Sequence, residues 1–103
     1  MDEFLTTLGR TIDGVWAWPV GRWDAEDGAK AAAMRSFLQH LADATGRLEG
    51  TGSHEVPDIG SQNLGMQAAV LADDFALVAD GASAEEAGEL ADRLADLRRS
   101  LFG

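Results

Sequence analysis

The stretch from Ser83 to Leu101 constrains the fold more than any other part of the chain. Ser83-Ala84-Glu85-Glu86 has the form of a capping box, in which a Ser side chain accepts from the amide three residues on and a Glu reaches back. Ala87, Leu90, Leu94, Leu97 and Leu101 follow at spacings of three and four, which is the period of a helix face and not of a strand. This heptad-like seam suits packing at a shallow crossing angle. Most of an amphipathic helix's stability comes from tertiary packing of its apolar face, so the seam requires other helices to cover it.

The rest of the chain supplies them. Phe4, Leu5, Leu8, Ile12 and Val15 predict a helix over 2–15, with Asp2 and Glu3 at its dipole-favoured first turn. Pro19 ends it, because the residue before a proline is pushed toward extended backbone. A second helix is expected over 24–47, with Asp24 as N-cap and Glu26 and Asp27 in the first turn. Met34, Phe37, Leu38, Leu41, Thr45 and Leu48 form its stripe, and Glu26–Lys30 and Asp43–Arg47 are acid-before-base pairs at i,i+4. A third helix is expected over 62–79, lined by Leu64, Ala68, Leu71, Phe75 and Val78. Val70 and Leu77 widen its apolar surface, so it should be the most buried of the four. The fourth runs over 83–101.

Three connections remain: a Trp-rich link over 16–23, a Gly-rich loop over 50–60, and a tight Asp80-Gly81-Ala82 turn. The loop contains three Gly and one Pro and is the best place for mobility. Alanine is abundant and no segment alternates β-branched residues. The expectation is one all-α domain over 1–103, a small four-helix bundle built as two antiparallel helical hairpins, since short connections favour antiparallel neighbours.

Charge and composition narrow the function classes. The net charge is −10, and from Leu48 to Asp92 there are ten acids and no Lys or Arg. Phosphate backbones and anionic membranes both reward basic surfaces, so neither nucleic acid nor membrane is an expected partner. The absence of cysteine fits a reducing cytoplasm and removes thiol chemistry. The chain starts without the basic and apolar regions of a signal peptide. Arg outnumbers Lys seven to one, a bias typical of GC-rich bacterial genomes.

No motif carries recognisable chemistry. Neither His40 nor His54 has a Glu three residues before it, as a di-iron bundle requires, and no H-E-x-x-H is present. Asp24 to Gly28 fails the EF-hand spacing, and Gly60 to Gly65 lacks the Lys of a phosphate loop. Ser61 lacks the Asp-Ser-Leu context of an acyl-carrier attachment site. Asp73 and Asp74 are neighbours on a helix and cannot both face inward; one is expected to pair with Arg10 or Arg35. No catalytic residue, cofactor or metal ligand is therefore assigned, and the chain is not expected to be an enzyme.

The most distinctive segment is Trp16-Ala17-Trp18-Pro19-Val20-Gly21-Arg22-Trp23. Tryptophans either fold back to seal one end of a bundle or form a binding surface, where they are enriched. Trp16, Trp18, Arg22 and Trp23 are the candidate interaction surface. The expected function is a non-enzymatic protein-interaction or regulatory module, self-associating as a homodimer or docking a protein partner. The alternative is a small apolar-ligand binder with a pocket gated by the 50–60 loop.

Overall fold

A computed structural model describes all 103 residues. Four helices, α1 (Asp2–Val15), α2 (Val20–Glu49), α3 (Leu64–Val78) and α4 (Ala84–Phe102), pack into a single bundle. One-turn 3-10 segments, Ser61–Asn63 and Ala79–Gly81, flank α3. No strand is present, and no helix is long and apolar enough to cross a membrane. The Ser83 cap forms as its sequence dictates, accepting from the Glu86 amide at 3.1 Å.

The stripes converge on one core. Phe4, Leu8, Ile12 and Val15 meet Met34, Phe37, Leu38 and Leu41, with Leu64, Ala68 and Phe75 from α3 and the Leu90–Leu101 seam from α4. Each fully buried Leu or Phe stabilises the fold by about 1.5–3 kcal/mol relative to exposure. Polar atoms inside are satisfied: Thr11 and Thr45 donate back to Thr7 O and Leu41 O within their own helices.

The pairing of the helices differs from two hairpins. Each of α1 and α2 packs against α3 and α4, whereas α1 does not approach α2, nor α3 approach α4. α1 and α2 therefore lie across one diagonal and α3 and α4 across the other, while α2 and α3 are neighbours. Phe4 against Phe75 sets α1 antiparallel to α3. Lys30 donates to Ser100 O and Leu101 O, and Arg47 meets Glu86, so α2 is antiparallel to α4. Ser61 bonds to Asp24 at the start of α2, and Gly81 lies beside Leu48 at its end, so α2 and α3 run parallel. The physical reason is the α3–α4 connection. Its 3-10 turn and the extended Ala82 and Ser83 carry the chain over the end of α2 instead of folding α4 back onto α3.

A parallel pair needs a connection that returns along the whole length of the bundle, and residues 50–60 supply it. They form a strap over the α2–α3 side, held by polar bonds along its length. Gln39 donates to His54 O and accepts from the Val56 amide, both at 2.9 Å. Gln67 donates to Pro57 O at 2.8 Å, and Arg35 pairs with Asp58 at 3.3 Å. Asp43 accepts from Ser53 and Gln39. The expected Asp43–Arg47 pair is absent because the strap takes Asp43 and α4 takes Arg47, through Glu86.

The second helix also begins differently. Helical backbone starts at Val20, directly after Pro19, and breaks at Ala25–Gly28 before resuming. Glu26, Asp27 and Gly28 all have positive φ, a conformation that costs little only for glycine and is tolerated by Asp. Asp24 is therefore not the N-cap. The early turn exists because Pro suits a helix start and because one turn from Val20 carries Trp23 into the core, where it is buried.

Candidate functional site

The Trp-rich segment divides into inner and outer parts. Trp23 is 1% exposed and belongs to the core, which removes it from the candidate surface. Trp18 lies over it with ring centroids 4.7 Å apart, and the Arg22 guanidinium sits 4.3 Å from the Trp18 ring centre. Phe102 joins edge-on at 6.0 Å from Trp18, and Arg98 stands 5.3 Å from the Phe102 ring centre. Trp18, Arg22 and Trp23 thus form an internally stacked plug at one end of the bundle. Of the three tryptophans only Trp16, at 59%, is largely exposed. Gly65 makes room for its backbone: a Cβ there would lie 3.4 Å from Trp16 Cα and O.

Trp16, Val20 and Phe102 leave some apolar surface at this end, and a second exposed apolar surface runs along α3. This helix was expected to be the most buried, yet Met66, Val70 and Leu77 are 49%, 53% and 85% exposed. The core takes only the Leu64, Ala68, Phe75 side of α3, because α1 and α2 flank that side alone. At about 100° per residue, Met66, Val70 and Leu77 share a strip about 40° wide, with Asp73 along one edge and Asp74 along the other. Both carboxylates are exposed and neither forms an ion pair; Arg35, expected as a partner, is engaged by Asp58. The strap extends the strip. Val56, Pro57 and Ile59 border Met66, Val70 and Leu71 to make an open trough of about 390 Å³, with Glu55 and His54 at its rim.

The trough wall is anchored by Asp43. Hydrogen bonds from Ser53, foremost, and from Gln39 hold its carboxyl below the ordinary value of 3.8, with smaller help from His40 and Arg47. A depressed folded-state value means that the stabilisation is present above the ordinary value and is lost as pH falls through the folded one. Asp43→Ala is therefore expected to speed amide exchange at Ser53 and Val56 at neutral pH. The difference from the native chain should shrink only below 3.8, where the native carboxyl itself takes a proton. A difference that vanished nearer neutrality would assign the anchoring to another group.

A polar cluster on the opposite side joins α2 to α4. His40 Nε2 lies 2.9 Å from Arg93 Nη1, Arg93 pairs with Glu89 at 3.2 Å, and Arg47 reaches Glu86. The space they enclose is about 60 Å³. His40 makes no bond to Ser53 or Asp43, so the Ser, His and Asp of this region do not form a nucleophile–base chain. Its bonds join two helices, and that accounts for the cluster.

One sequence signal did point to the α3 face: an apolar arc wider than a two-sided contact can cover, with acids at its edges. No protein-family model, curated protein or solved structure matches the chain.

Proposed function

We propose that the chain is a non-enzymatic protein-interaction module whose docking face is the Met66–Val70–Leu77 strip of α3 and the adjoining strap. The observation that carries this reading is the contrast between the two halves of α3. The same helix buries Leu64, Ala68 and Phe75 completely and leaves three large apolar side chains in water on its other side. Single exposed apolar residues are ordinary, but three aligned along one helix, two of them joined to apolar residues of the strap, mark a contact surface. The plug at the Trp end is the lesser candidate, because its rings already satisfy one another.

The carboxylates favour a partner other than a second copy. A two-fold dimer across the strip would place Asp73 and Asp74 against their own equivalents, and like charges brought together oppose association. Self-association remains the competing form of the same proposal. The absence of cysteine accords with a cytoplasmic setting. The trough is also of ligand size, and a small apolar molecule bound there is the second reading.

Photo-crosslinking in the native host tests the face. A crosslinking amino acid at Val70 is expected to give a discrete heavier adduct, and one at Asp92, on the exposed face of α4, should give none. An adduct of twice the chain mass would establish the homodimer. No adduct from Met66, Val70 or Leu77 would remove the docking face, and saturable thermal stabilisation by apolar small molecules would then favour the ligand reading.

A further inference from the structure

Resting on the docking face proposed above, we infer that its partner is an amphipathic helix whose apolar stripe is flanked by Lys or Arg. The argument starts from shape. Met66 to Leu77 is three turns, about 16 Å, and the strip is convex along α3 but bordered by the raised strap on one side. That arrangement matches a second helix lying beside α3, with its apolar side chains at i, i+3, i+4 and i+7 reaching into the trough.

Charge then decides what borders the partner's stripe. Asp73 and Asp74 line the two edges of the strip, Glu55 stands at the trough rim, and Asp80 follows just beyond Leu77. All four are exposed, and none is held by a base. No Lys or Arg lies between Leu48 and Asp92 to offset them. Three bases of α2 and α4 are committed elsewhere, Arg35 to Asp58, Arg47 to Glu86 and Arg93 to Glu89, and Arg10 on α1 pairs with none of the four carboxylates. An apolar strip with unpaired carboxylates on both edges repels an acidic helix and a second copy of itself, and attracts a basic one. Exposed rim charges act mainly on encounter rate and selectivity, while the apolar centre sets residence time. The two parts can therefore be separated by experiment.

The test uses three synthetic helical peptides of about 18 residues, five turns, with one Leu stripe and flanks of Lys, Glu or Gln. Each is titrated into the full ¹⁵N-labelled chain. The Lys peptide is expected to shift the amides of Ile59, Met66, Val70 and Leu77. At low salt it should bind at least about tenfold more tightly than the Gln peptide, and this advantage should fall to within about threefold near 0.5 M salt. Asp73→Asn with Asp74→Asn should reduce the preference mainly through the association rate. Met66→Ser with Val70→Ser should abolish binding through faster dissociation, with every carboxylate still in place.

Equal binding of the three peptides on α3 would overturn the basic-partner inference and leave the docking face intact. Shifts confined to other surfaces, or Lys-peptide binding indifferent to Met66→Ser and Val70→Ser, would overturn it as plain attraction between opposite charges. No response of the α3 amides to any peptide would sink the docking face as well. Concentration-dependent shifts of the same amides without peptide would assign the face to a second copy.

Discussion

Trp23→Ala is expected to lose about 3–5 kcal/mol of stability, the usual cost of removing a large buried aromatic side chain. Small domains have only about 5–15 kcal/mol in total, so the variant should be partly unfolded at modest temperature. The loss has two sources. The indole fills core volume that its neighbours cannot close, since it enters on one short turn held between Pro19 and the left-handed run at Glu26–Gly28. Trp18 also rests on it, so Trp18, Arg22 and Phe102 would lose their common support. Trp16→Ala should change stability by less than about 0.5 kcal/mol, as surface substitutions do. Urea unfolding of both variants separates the plug from a binding patch. In a chain retaining Trp23 alone, indole fluorescence should resist acrylamide quenching. A Trp23→Ala loss near that of Trp16→Ala would return the whole segment to the surface.

Local signals were the legible ones. Ser83 and Glu86 cap α4 because both partners lie within one turn, so nothing distant can overrule them. The α4 seam is equally plain, since Leu90, Leu94, Leu97 and Leu101 have no polar competitor on their face. The start of α2 was ambiguous for a physical reason. Glu26 and Asp27 suit the first turn of a helix, where carboxylates meet the dipole, but Asp before Gly also suits a left-handed turn. Burial of Trp23 decides between them, and burial is not a local property. Pairing was hidden for the same kind of reason. A five-residue connection permits a hairpin, and only the packing of Leu48 under Gly81 shows that the chain passes over α2 instead.

The candidate site was half legible. Val70 and Leu77 stood out as widening the α3 stripe, and Asp73 and Asp74 as acids on an apolar helix. Width alone does not say which part of an arc is covered. That depends on α1 and α2 both taking the Phe75 side, which leaves the Val70 side to water. The strap was recognisable as a loop from its glycines, but its polar anchors were not. Gln39 and Asp43 lie on α2, far from residues 53–56 in sequence, and nothing in a Gln or an Asp on a helix announces a loop partner.

Gly46→Ala should reverse the ordinary sign of a glycine-to-alanine change within a helix. At an unobstructed helical site the change is favourable by about 0.5–1 kcal/mol. Gly9 in α1 is such a site, exposed and with no atom near its missing Cβ, so Gly9→Ala should gain about that amount. At Gly46 a Cβ would stand 1.9 Å from Gly52 O and 2.8 Å from Gly52 C. The obstacle is backbone, and it is tied in place. The Gly46 carbonyl accepts the amides of Thr51 at 3.0 Å and Gly52 at 3.3 Å, and the next residue, Ser53, donates to Asp43. The strap must therefore lift where it leaves α2. A net loss of about 1–3 kcal/mol is expected, in the range of overpacking, with faster amide exchange from Thr51 to Val56. Because the strap forms one wall of the trough, Gly46→Ala should also weaken the Lys-flanked peptide while leaving every α3 side chain unchanged. A stabilised Gly46→Ala chain would mean that the strap does not lie against α2. Destabilisation with undiminished peptide binding would confine the docking face to α3 alone.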